Sequence, residues 1–240
     1  MPSITSTRRE RTIIEAVNNA VRDNQRNPIN IVSGGTIIEG IRSSSKFAGG
    51  QSAVARPYAD IVLSSKNATN LKLSLRDTST IAMYGEDQRT INILVPGIVN
   101  KFLRKVKENL DASGLKTGDQ VPPIFGLVGP RDKMKLLVGT SVTGGPIDYM
   151  YVGPSDIKAT YDKKSNRLSL NGSLIIPTVY SKEIQLYIGI KPGIDDQRYD
   201  SEAMDQGMPK IYGKSPTRGY VDNRIFLTDT VPSTARIINL

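Results

Sequence analysis

The chain has 240 residues, 38% of them hydrophobic and 23% charged, enough for one sizeable core or a core with a smaller appendage, and it has the composition of a globular protein rather than a disordered one. It contains no histidine and no cysteine, which excludes disulfides, cysteine-based zinc sites and thiolate nucleophiles, and also serine triads and zincins in their usual forms; sites of carboxylate oxygens around Mg²⁺ or Ca²⁺ stay open. Lysine and arginine total 32 against 23 aspartate and glutamate, a formal charge of +9, and this balance favours polyanionic partners through field and counterion release.

In chain order, Ile13, Ile14, Val17, Ala20 and Val21 recur at three- and four-residue spacing, which predicts an amphipathic helix over 8–25 that ends at Asn27-Pro28. A short strand over 29–32 follows, then the turn Ser33-Gly34-Gly35 and a further element over 36–41. Three serines and two adjacent glycines make 43–56 read as a loop or flap. Pro57-Tyr58-Ala59-Asp60-Ile61-Val62-Leu63 ends as a buried strand, and 67–70 turns the chain. Leu71, Leu73 and Leu75 then alternate with Lys72, Ser74 and Arg76, a period of two that places the two sets on opposite faces.

The apolar residues Leu94, Val95, Ile98, Val99, Phe102, Leu103, Val106 and Leu110 predict one helix over 91–110 with Pro96 in its first turn. Lys101, Arg104, Lys105 and Lys107 decorate its other face, either as a solvated surface or as a strip for phosphates. Beyond Gly118 the chain is punctuated by glycine and proline, and short strands are expected over 135–138, 147–152, 174–179 and 184–190. A hairpin turn is expected over 162–167. The glycines of 126–129 and 144–145 read as turns. Residues 195–220 are polar, with tyrosines interleaved among cations over 209–220, the texture of an ordered loop or of an arm that orders against a partner.

No apolar run approaches the roughly 20 residues of a membrane span, and the first residues carry charges where a signal peptide has its apolar segment. A soluble, cytoplasmic protein without a membrane partner is the expectation.

The stretch Arg56-Pro57-Tyr58-Ala59-Asp60-Ile61-Val62-Leu63, followed by Leu71-Lys72-Leu73-Ser74-Leu75-Arg76, resembles the PD-(D/E)XK nuclease superfamily. The likeness is to phage and viral members in which a P-x-A-D-I-like strand precedes a strand ending in a serine-x-lysine variant of the catalytic motif, and it covers about 8–110. The short strands beyond Gly118 make 119–240 a β-rich second half, and the resemblance implies an α/β fold with a restriction-endonuclease-like N-terminal core over 1–118. It further implies Mg²⁺- or Mn²⁺-dependent hydrolysis of DNA phosphodiesters.

On that resemblance the catalytic positions are Asp60, Ser74, Arg76 and Glu15, and the metal-holding positions Asp60 and Glu39; Asp77 is a further carboxylate close by. From charge and placement, Arg42, Lys46, Arg56, Lys101, Arg104 and Lys105 are the cations expected to contact nucleic acid. The motif departs from the family: serine is a poor metal ligand, and arginine can clamp a phosphate but cannot act as a base. Asp60 also admits a plain structural reading as a cap on a neighbouring loop or a partner of Arg56, and Arg76 as a surface cation. The rival function is a non-enzymatic component of a virus particle in its head, neck or tail, located in the virion, with assembly partners or as a homo-oligomer.

Overall fold

The computed structural model describes residues 4–48, 59–67, 70–77, 88–116, 118–140, 144–191, 213–215, 219–221 and 224–240. It is a mixed α/β protein. Contacts divide the chain into two compact units, one of Met1–Ile81 with Leu137–Glu183, the other of Ala82–Leu136 with Ile184–Leu240. The division does not fall at the expected break after residue 118. Each unit takes two stretches of chain, because later strands return to pair with earlier ones.

The first unit is a sheet of eight strands: β1 (Ile29–Ser33), β2 (Thr36–Lys46), β3 (Ile61–Ser65), β4 (Leu71–Asp77), β6 (Tyr149–Gly153), β7 (Ala159–Asp162), β8 (Arg167–Leu170) and β9 (Ser173–Ile175), in the order β7-β8-β1-β2-β3-β4-β6-β9. Strands β1 to β4 run antiparallel in sequence, whereas β6 lies parallel to β4 and β8 parallel to β1. Helix α1 (Ile4–Asp23) packs its predicted stripe, Ile13, Val17, Ala20 and Val21, against Ile29, Ile31, Ile38, Ile41, Ile61, Leu63 and Leu73 of the sheet. Full burial of each valine, isoleucine or leucine side chain among them contributes about 1.5–3 kcal/mol.

Strand β2 is longer than expected and takes in 43–46, read from the sequence as loop. Two register shifts, one opposite Ile29/Ile31 and one between Ile41 and Ser43, mark β-bulges that change the buried spacing from two to three, so that Ile38, Ile41 and Ser44 face inward. A period-two reading cannot see this. Asn18 of α1 then holds the serine run in place, its side chain bonding Ser44 N–H and Ser44 C=O at 2.9 Å each.

The second unit carries β5 (Ile124–Leu127), β10 (Tyr187–Lys191), β13 (Arg224–Thr228) and β14 (Arg236–Asn239) in the order β13-β10-β5-β14, together with α2 (Gln88–Leu94) and α3 (Ile98–Asp111). Strands β11 (Gly213–Ser215) and β12 (Gly219–Val221) form a separate ladder. The single helix expected over 91–110 is two helices. Pro96 lacks the N–H a helix interior needs, and Gly97 takes φ 78 as the residue before α3. Gly126, expected in a turn, lies within β5. A Cβ there would stand 2.8 Å from the Phe102 ring of α3 and 2.6 Å from Leu240, so the absence of a side chain lets helix and strand approach.

One expected strand is helical, and another, over 174–179, begins as a strand and ends as a helix. Residues 135–138 end α4 (Pro130–Val138), and 177–179 begin α5 (Pro177–Glu183) directly after β9. Each helix opens on a proline, whose fixed φ suits the first helical position, and a short apolar run has no periodicity that separates strand from buried helix. The expected hairpin at 162–167 is β7-β8, paired from Asp162↔Arg167 to Ala159↔Leu170. Arg56 to Tyr58 and most of 195–220 lie outside the described residues. No helix among the described residues is long and apolar enough to cross a membrane.

Candidate functional site

Asp60 stands immediately before β3 and is tied into the sheet on both sides. Its N–H donates to Leu73 C=O at 3.0 Å and its C=O accepts from Phe47 N–H at 3.0 Å. Its carboxylate Oδ2 accepts from Leu75 N–H at 2.7 Å and from Ser74 Oγ at 3.2 Å. Strands β3 and β4 pair with Ile61 opposite Leu73, so residues just past that pair come alongside Asp60. Ser74, fully buried, is therefore a donor that holds the aspartate.

Burial pushes the Asp60 carboxyl above the usual aspartate range. The Arg76 guanidinium and the Leu75 N–H oppose that shift, the Glu10 carboxylate adds to it by repulsion, and the Ser74 hydroxyl opposes it. Both members of the Ser74-x-Arg76 pattern thus act on Asp60, as one face of a strand allows.

The second carboxylate at this place is Glu10, whereas the motif resemblance points to Glu15. Glu10 is buried and its Oε2 lies 2.8 Å from Lys46 Nζ at the end of β2. Its neighbour Arg9, also buried, donates from Nη2 to Arg76 C=O at 2.6 Å and to Gly153 C=O at 2.9 Å. Those carbonyls belong to the parallel strands β4 and β6, in which Asp77 pairs with Gly153. Arg9 therefore staples the start of α1 across two strand ends and holds Glu10 beside Asp60.

A signal for Glu10 is present in the sequence. Positions 10, 13, 17 and 20 form a three-four-three series, so Glu10 is a charged residue in phase with the buried stripe of α1, whereas Glu15 is out of phase. Glu15 is exposed and pairs with Arg11 at 2.7 Å. Glu39 is exposed on β2, its C=O accepting from Ser65 Oγ at 3.4 Å. Neither joins Asp60.

Among the expected nucleic-acid contacts, Arg42 is exposed on β2, Lys46 turns onto Glu10, and Arg56 lies outside the described residues. Lys101 on α3 lines a small open cavity with Val95, Pro96, Gly97, Ile98 and Asp132. Arg104 pairs with Glu108 at 3.7 Å, Lys107 with Asp111 at 2.7 Å, and Lys105 Nζ donates to Asn239 C=O at 2.7 Å.

Chemically, the first unit brings the buried Glu10 and the half-buried Asp60, a hydroxyl and three cations together from α1, the end of β2, the residue before β3, and β4. No group of three or more Asp or Glu placed to hold a metal ion occurs among the described residues, so an ion here would rest on Glu10 and Asp60 and complete its shell from water and substrate. That fits Mg²⁺, which dehydrates reluctantly and commonly takes one or two protein carboxylates. No family model, curated protein or solved structure matches the chain, and the reading of the site rests on its own residues.

Proposed function

We propose that the first unit is a restriction-endonuclease-like domain that hydrolyses DNA phosphodiester bonds with Mg²⁺ or Mn²⁺. The observation that carries this is the meeting of Glu10 from α1 with Asp60 ahead of β3 and with Ser74 and Arg76 of β4. Helix, aspartate strand and polar strand come in the order the motif resemblance implies, the next helices α2 and α3 belonging to the second unit, and the first helix supplies the carboxylate missing from position 74.

Glu10 and Asp60 would hold the metal ion, which when bound activates water and neutralises charge on the phosphate. Ser74 and the Leu75 N–H fix the Asp60 carboxylate, so that one of its oxygens is oriented by the protein rather than by solvent. Arg76 supplies a permanent positive charge for a phosphate oxygen. The chain's net charge of +9 favours a polyanionic substrate.

A second reading is carried by Ser74. A fully buried hydroxyl spent on Asp60 also describes a cluster that only fastens α1 to the sheet, as in a non-enzymatic component of a virus particle built on the same frame. Incubation of the protein with plasmid and single-stranded DNA in Mg²⁺ or Mn²⁺ separates the two. Wild type is expected to release fragments, and Asp60→Asn and Glu10→Gln to release none while melting as folded proteins. A wild type that cleaves with neither ion leaves the non-enzymatic reading in place.

A further inference from the structure

The ion pair between Lys46 and Glu10 is lopsided. The Glu10 side chain is 8% exposed and set by α1, while the Lys46 side chain is 60% exposed and reaches its partner oxygen at 2.8 Å from the last residue of β2. One end of the pair is fixed in the protein and the other stands on a four-carbon stem open to water. The oxygen that Lys46 covers belongs to one of the two carboxylates on which a divalent ion would rest.

We propose that Lys46 is the resident counter-ion of the Glu10–Asp60 site, displaced when a divalent cation binds. The inference rests on the metal-site reading of the first unit and concerns how that site is regulated.

The charge count explains the role. Glu10 and Asp60 carry two negative charges when ionised, and Arg9, Arg76 and Lys46 carry three positive ones. Arg9 is held from within the fold by two strand carbonyls, and Arg76, half-buried on β4, lies close enough to act on the Asp60 carboxyl. Lys46 is the most exposed of the three and can leave by rotating its side chain into water. A divalent ion arriving at Glu10 meets an ammonium on the same oxygen, and two cations at so short a separation repel. Metal binding therefore expels the ammonium, and the work of expelling it sets the metal affinity. In the metal-free protein the same ammonium keeps Glu10 compensated, which a buried carboxylate requires.

The test is a calorimetric titration of Mn²⁺ into the full chain without DNA, at low ionic strength and fixed pH, with the Mn²⁺-induced rise in melting temperature as a second readout. Lys46→Met and Lys46→Gln, which remove the charge without and with a polar end, are expected to bind Mn²⁺ about fivefold more tightly or better, the lower end of the coupling usual between two binding events. Lys46→Arg, which keeps the charge, is expected to bind no more tightly than wild type. Asp60→Asn is expected to lose binding. Wild-type affinity in both neutral variants, with binding still abolished in Asp60→Asn, overturns the role of Lys46 and leaves the metal site standing. Equal tightening in Lys46→Arg shows that charge is not the cause and also overturns it. A flat titration for every protein removes the metal site itself, and the counter-ion role with it.

Discussion

The start of α1 and the outer face of α3 are both rich in opposite charges, yet they are built on different terms. On α3 the partners are local and hydrated: Arg104 with Glu108 and Lys107 with Asp111 are four residues apart along one helix, with at least 36% of each side chain exposed. At the start of α1 the partners come from four elements, and Arg9, Glu10 and Ser74 are buried. Exposed pairs of the first kind are screened and contribute little. Buried charges of the second kind have given up their water and depend on each other, so removal of one leaves the rest uncompensated. Charge composition alone therefore does not mark a site; burial of charges drawn from distant parts of the chain does.

The comparison breaks first at Arg9. Arg9→Ala strands two strand-end carbonyls and removes a cation beside the buried Glu10 and the half-buried Asp60, and is expected to destabilise the first unit by about 3–5 kcal/mol. Urea unfolding followed by far-UV circular dichroism measures this. A loss under about 1 kcal/mol, the ceiling for exposed pairs, would erase the distinction between the two regions.

A second measurement sharpens the contrast through pH, using an exposed aspartate as the counterpart. Asp162 in the β7-β8 turn is held below the usual aspartate range by the Ser165 hydroxyl at 2.6 Å and the Lys164 N–H at 2.9 Å, whereas burial raises Asp60 above it. The signs are opposite. Asp60 contributes stability that is present below its unfolded pKa and is lost as pH rises through its folded pKa. Asp162 contributes stability that is present above its unfolded pKa and is lost as pH falls through its folded one. Denaturation across the acid range should show the deficit of Asp162→Asn growing with pH, and Asp60→Asn gaining on wild type as pH rises. Parallel profiles would show that the two environments do not differ.

The smallest effects belong to α3. Arg104→Ala and Lys107→Ala are each expected to cost no more than about 0.5 kcal/mol, read from the same urea titrations. The helix is still informative about partners. If α3 lies on DNA, charge reversal at Lys101, Arg104 and Lys105 should lower the slope of log affinity against log salt by about 0.9 for each phosphate that the helix no longer neutralises, with reversal at Lys163 and Lys164 as the control. An unchanged slope in an anisotropy titration would mark α3 as a solvated surface only.

Much of the frame was legible in the residues themselves, since local rules govern it. The apolar stripe of α1, the antiparallel pair β3-β4, the hairpin turn between β7 and β8 and the place of Asp60 ahead of the Ser74-x-Arg76 strand all follow from spacing and turn chemistry. Where two local readings compete, spacing is silent, as at the apolar run of 135–138 that ends a helix, or at Pro96, which divides one expected helix into two. Tertiary structure alone decided the rest. Bulges carried β2 through a serine run that reads as loop, parallel pairing of β6 with β4 brought Gly153 beside Arg76, and Arg9 crossed both strand ends. Helical phase turns Glu10 inward and Glu15 outward, but it is that crossing which seats Glu10 next to Asp60. A carboxylate's role depends on which charges lie across from it in space, and those partners stand 36 to 66 positions away along the chain, at Lys46, Asp60 and Arg76, beyond the reach of any local pattern.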